Sequence, residues 1–244
     1  VDEMSDLRGY LSRGGKLLIT TDSYNRTPNL DALLAEYGMT RQEGLVIEND
    51  SNYYLYGTAQ TCLLPNLSSN EITAGVTDGM HVFTPVAQGI VKGDSTDDLT
   101  LTTLLSTSST AYAMQDYAEA TTAEQGANDP NGPFNIAVAA SNSTTGAKVV
   151  WVNCANLLNS KGIEYVAREY ASLLIGGNAQ LLTSTMNWMI GEENGVVIDS
   201  KSMSAETLTV PAKATMLLGL LFTIVVPLAF IVAGIAITLV RRRR

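Results

Sequence analysis

Apolar residues recur at helical spacing at Met4, Leu7, Tyr10 and Leu11 and stop at Gly14-Gly15. This pattern predicts a helix, and the run Lys16 to Thr21 after it predicts an apolar strand. A loop over Ser23 to Pro28 leads to a second helix, with Asn29 as its expected cap, Leu30, Leu33, Leu34 and Tyr37 on one side, and Gly38 closing it. Gly44 to Glu48 then completes a strand, helix, strand unit of the kind that builds parallel sheets. Asn49 to Ser69 is polar and tyrosine-rich, with Tyr53, Tyr54 and Tyr56 clustered.

Further along, Met80 to Val86 and Leu99 to Ser106 read as strands on either side of an acidic turn, Lys92 to Asp98. Tyr112 to Pro133 is weakly apolar and rich in Ala, Thr, Gln, Asn and Gly, and reads as a mobile insertion. Phe134 to Ala140 and Lys148 to Asn153 form the clearest late strands, joined by a hairpin-like turn and expected as an antiparallel pair at the sheet edge. Ile163, Val166, Tyr170, Leu173 and Leu174 predict a helix that stops at Gly176-Gly177. Asn178 is then expected to cap another, with Leu181, Leu182, Met186, Met189 and Ile190 on its face. Val196 to Ile198 reads as a last short strand.

The hydrophobic pattern changes at Ala214. Twenty-seven residues, Ala214 to Val240, carry no charge, sixteen of them are Leu, Ile, Val or Phe, and Arg241, Arg242, Arg243 and Arg244 follow. At about 1.5 Å per residue the run exceeds the roughly 30 Å hydrocarbon layer. Each large aliphatic or Phe residue near the centre favours insertion by about 0.3–0.6 kcal/mol. The run therefore predicts a transmembrane helix, kinked at Pro227. Small residues at Ala229, Ala233 and Ala236 give a partner helix room to approach. The four arginines direct the carboxyl end to the cytoplasm and favour contact with anionic lipid.

This orientation puts the rest of the chain outside the plasma membrane. The expected organisation is an extracytoplasmic α/β domain over 1–207, a juxtamembrane linker over 208–213, the span over 214–240 and a cytoplasmic basic tail over 241–244. No signal peptide is legible after Val1, so an upstream signal or first transmembrane helix is expected to precede it. Residues before the span carry eleven basic against twenty-four acidic side chains, a net charge of −13. Nucleic acid is a poor partner for such a surface.

Enzymatic motifs are weak. Gly14-Gly15-Lys16 fails as a phosphate loop, because Tyr10 stands where the first glycine belongs and Leu17 where Ser or Thr would ligate magnesium. No Gly-x-Gly-x-x-Gly turn offers a dinucleotide site. Cys154 follows a strand as a hydrolase nucleophile would, but Val152 and Asn156 replace the glycines of a nucleophile elbow, and the single histidine, His81, would have to be its base. Cys62 and Cys154 are compatible with a disulfide or with two isolated buried thiols. One His and two Cys do not make a zinc site. Asp129-Pro130-Asn131-Gly132 lacks the later glycine and glutamate of a calcium loop. Asn25-Arg26-Thr27, Asn66-Leu67-Ser68 and Asn142-Ser143-Thr144 match glycosylation acceptors and mark polar surface loops. No cofactor or metal is expected.

Five phrases carry a resemblance: Leu11 to Ile19, Leu30 to Gly38, Leu101 to Ala113 with its Leu104-Leu105-Ser106-Thr107-Ser108 core, Gly177 through Met186-Asn187-Trp188-Met189-Ile190-Gly191-Glu192-Glu193, and Leu208-Thr209-Val210 into the Pro227-bearing helix and arginine tail. Together they resemble the auxiliary membrane subunits of the gliding-motility (GldG) type of ABC transporter. The resemblance implies a glutamine-amidotransferase-like, flavodoxin-like domain held outside the membrane between two helices, with a permease and a cytoplasmic ATPase as partners. Gly-x-Cys-x-Gly and its downstream histidine are missing, which implies a scaffold or binding module rather than an enzyme. A membrane-tethered hydrolase using Cys154 and a purely structural surface protein are the rival expectations.

Overall fold

A computed structural model of the chain describes residues 3–55, 60–77, 79–157 and 168–191, and the pairs 223–224, 227–228, 234–235 and 241–242. Two compact units are present, residues 1–201 and 202–244.

The first unit is a mixed α/β fold built on a sheet. Helix α1 (Glu3–Ser12) leads into strand β1 (Lys16–Thr20), helix α2 (Pro28–Glu36) and strand β2 (Met39–Ile47). Short strands β3 (Cys62–Leu63), β4 (Asn66–Leu67) and β5 (Thr84–Pro85) precede β6 (Gln88–Lys92), β7 (Leu99–Ser106) and β8 (Tyr112–Met114). The hairpin strands β9 (Asn135–Asn142) and β10 (Lys148–Val152), then a 3-10 turn at Ala155–Leu157 and helix α3 (Arg168–Ile190), complete the described elements.

The main sheet runs in the order β1-β10-β9-β6-β2-β8, with β7 along β9 and β4 along β7; β3 and β5 form a separate pair. Only β1 and β10 pair in parallel among the described strands. This corrects the expected parallel strand, helix, strand unit: following the pairings across the sheet, β2 runs opposite to β1 and lies on the far side of β6. The late hairpin is antiparallel as expected, but β10 lies between β1 and β9 and is interior, not an edge. Its residues Val149 to Trp151 are fully buried, as continuous apolar strands between two layers are.

Alternation along β10 assigns the layers. Val149 and Trp151 pack with Leu11 of α1 and Leu33 and Leu34 of α2, while Val150 and Val152 pack with Leu181 and Met189 of α3. Helices thus cover both faces of the sheet.

Several local expectations are revised. Thr27, without a side-chain capping bond, stands at the N-cap position of helix α2, and Pro28 and Asn29 lie inside its first turn, which corrects the cap expected at Asn29. Met80 to Val86 contributes only the two residues of β5, because Gly79 takes a positive φ of 87° and the segment packs by irregular contacts beneath α3. Tyr112, expected in an insertion, is completely buried and opens β8, paired to β2. Gly176-Gly177 does not end a helix, since α3 runs through it. Tyr56, residues 158–167 and Val196 to Ile198 lie outside the described residues.

Most of the run 214–240 also lies outside them. Among the described residues no helix is long and apolar enough to cross a membrane. In the second unit, Pro227 and Leu228, Gly234 and Ile235, and Arg241 and Arg242 are helical.

Candidate functional site

The anchor residues read from the sequence divide in two. Pro227, Arg241 and Arg242 are exposed helical positions of the second unit, whereas Arg243, Arg244, Ala229, Ala233 and Ala236 lie outside the described residues. In the first unit the structure assembles polar groups at the carboxyl ends of the parallel pair β1 and β10, where open α/β sheets place their crevices.

Arg41 is the centre of this cluster. It sits in β2 just before an irregularity between Arg41 and Leu45, where Gly44 takes a φ of 97°, and such bulges re-aim neighbouring side chains. Its side chain is 4% exposed and pairs with Asp31 of α2, Nη2 to Oδ1, at 2.9 Å. Nε donates to the second Asp31 oxygen, Oδ2, at 3.3 Å, Nη2 also reaches Thr27 Oγ1 at 3.3 Å, and Nη1 is shared among Gln88 Oε1 at 2.8 Å, Asn153 Oδ1 at 3.2 Å and the Asp22 carbonyl at 3.4 Å. The guanidinium carbon stands 5.7 Å from the centre of the Trp151 ring. Trp151 Nε1 donates to Thr21 Oγ1 at 2.8 Å, Thr21 donates to Asn153 Oδ1 at 2.6 Å, and Asn153 Nδ2 donates to the Gly89 carbonyl at 2.9 Å.

Every donor direction of Arg41 is therefore used inside the protein. A buried charge paired this fully is a keystone joining β1, α2, β2, β6 and β10, not a docking group for an anion. The rim above it is aromatic: Tyr24 meets Tyr117 edge-on at 5.6 Å, and the Tyr117 hydroxyl donates to the Ser23 carbonyl. Burial raises the Tyr117 phenol above its usual pKa.

The proposed nucleophile is placed where it is least reactive. Cys154 is fully buried, donates to the Pro85 carbonyl at 3.3 Å, and burial pushes its thiol up to about 12. His81 is exposed, outside any strand. Cys62 stands opposite the same Pro85 in the β3–β5 pair. It packs with Leu55 and Phe83, whereas its neighbour Leu63 packs in the core that holds Cys154. Alternation thus turns the two sulfurs to opposite faces, and both cysteines are buried thiols.

Asp129, the start of the calcium-like stretch, organises its own loop: its carboxylate accepts from Gln115 N at 2.9 Å and Gly126 N at 2.7 Å. A surface cavity of about 300 Å³ lies beside it, with Asp116, Glu119 and Glu124 in its wall. Among the described residues no cluster of three His, Cys, Asp or Glu side chains is arranged to hold a metal ion.

A second constellation fixes α3. Gly177 lies so close to the sheet side that a Cβ would fall 2.0 Å from the His81 carbonyl oxygen. Beside it, Asn178 accepts from Phe83 N at 2.7 Å and donates to the carbonyls of Phe83 at 2.9 Å and Leu157 at 3.1 Å. The glycine serves close approach and the asparagine clamps two loops, which replaces the stop and cap expected there.

Comparison with known proteins adds a likeness of fold. The mmIFT52 N-terminal domain superposes with a TM-score of 0.52 at 16% sequence identity, over 77% of this chain and 70% of that one. At that identity the likeness concerns architecture alone, a mixed α/β domain on a largely sheet core. No family profile and no curated protein matches the sequence.

Proposed function

We propose that this chain is a non-catalytic auxiliary subunit of an ABC transporter complex. Its α/β domain lies outside the plasma membrane, binds a ligand or partner protein, and passes its state through a carboxyl-terminal transmembrane helix to a permease served by a cytoplasmic ATPase. The observation that carries this reading is the uncharged run Ala214 to Val240 closed by four arginines, attached to a folded acidic domain. Ile224, Leu228 and Ile235 of that run are more than half exposed, the condition of aliphatic side chains that face lipid. Burial of Cys154, which holds its thiol protonated, weighs against the rival reading of a hydrolase using it as nucleophile. The finer fold we propose is a diverged glutamine-amidotransferase-like domain. Its support is the parallel β1–β10 pair in a sheet with helices on both faces and the short phrases that resemble the GldG type.

Affinity purification of the full chain after mild detergent extraction tests the reading. Recovery with a multi-span permease and an ATPase is the expected result. Recovery alone, or as ordered arrays of itself without an ATPase, contradicts it.

A further inference from the structure

The last turn of α3 is held to the sheet by side chains that the site above leaves unused. Lys148, the first residue of β10, donates from Nζ to the Trp188 carbonyl and stands 4.3 Å from the centre of the Trp188 ring. Trp188 Nε1 donates to Glu71 Oε1 at 2.7 Å. Met189 faces the core at 5% exposure, while Met186 and Ile190 face outward. Gly191, at a φ of 78°, then ends the helix, its amide donating to the carbonyls of Asn187 at 3.1 Å and Trp188 at 3.3 Å.

Ordinary surface chemistry does not account for this arrangement. Lys148 lies beside Lys16 in the parallel register, a like-charge neighbour, and among the described residues no carboxylate forms an ion pair with it. Burial, and then Lys16, lower its pKa, against the opposing pull of the Glu71 carboxylate. Lys16 donates its ammonium to the Gly146 carbonyl, while Lys148 reaches the negative end of α3 and the face of an indole. Both are stabilising destinations for a partly desolvated cation. Glu71 fixes the indole from a third segment.

We propose that Lys148, Trp188 and Glu71 form a latch that pins the last turn of α3 to β10 and sets the local stability of that helix end. With the Asn178 clamp ten residues earlier, the latch makes the second half of α3 a strut held at both ends. Its role in passing a signal to the permease rests on the function proposed above; the latch itself does not.

Hydrogen exchange on the full chain in detergent tests it. Lys148→Met keeps the aliphatic stem and removes the cation, and is expected to speed exchange of the amides of residues 188–191 by about tenfold while β9 and β10 keep their protection. Trp188→Phe, which loses the Glu71 bond and weakens the cation contact, is expected to speed the same amides, and its effect is expected to be less than additive with Lys148→Met. Unchanged protection at 188–191, or a rise spread evenly over β9 and β10, overturns the latch. Loss of the permease from a purification in which the latch amides remain protected would instead count against the transporter reading alone.

Discussion

Arg41 occupies a stretch, Thr40 to Glu43, whose polarity resembles a loop, yet it anchors the polar centre of the domain. The signal for it in the sequence is faint, because its partners Asp31, Gln88 and Asn153 come from three distant segments that only the fold brings together. Replacing Arg41 by Ala leaves Asp31 partly buried and uncompensated, and is expected to lower stability by about 3–5 kcal/mol in urea denaturation. Loss of ligand binding without loss of stability would show that Arg41 is a binding group instead. Cys154 was legible as a residue following a strand, and of the two readings left open for the cysteines the structure has the isolated buried thiols. Native protein is expected to leave both thiols unreactive towards a thiol reagent, with two reacting after denaturation. The raised thiol pKa also has a sign: the folded state holds its proton up to about 12, whereas an unfolded thiol releases it near its ordinary value of 9.0. Stability from this group is full below the lower value and declines as pH rises through the window between them. Cys154→Ala is expected to flatten that alkaline decline.

Elements built from dense apolar runs were readable: β1, β7, β9, β10 and the two amino-terminal helices lie close to where periodicity puts them. The direction of β2 relative to β1 was not, because pairing partners are set by tertiary packing and a strand, helix, strand succession does not specify them. Gly176-Gly177 misled for a different reason. Glycine marks helix ends and close approaches alike, and here the His81 carbonyl occupies the space a side chain would need. Gly177→Ala is therefore expected to destabilise the domain even though alanine favours helix, and Gly176→Ala, with nothing near its Cβ position, to be neutral or stabilising. Asn178→Ala abandons Phe83 N and two carbonyls, and is expected to cost about 1–3 kcal/mol in thermal or chemical unfolding. Equal effects of the two glycine substitutions would refute the close-approach account.

At the scale of the whole molecule, charge and hydropathy divide the chain into an acidic folded domain and an uncharged run ending in arginines. Under the proposed function, a membrane crossing by this run decides which compartment the domain meets, and with it the partners it reaches. Protease added to sealed cells expressing the chain with a carboxyl-terminal tag reads this arrangement directly. The account predicts that the domain is digested while a tagged fragment containing Arg241 to Arg244 survives in the membrane and resists alkaline extraction. Protection of the domain until the cells are lysed, or release of the intact chain by alkaline washing, would contradict it.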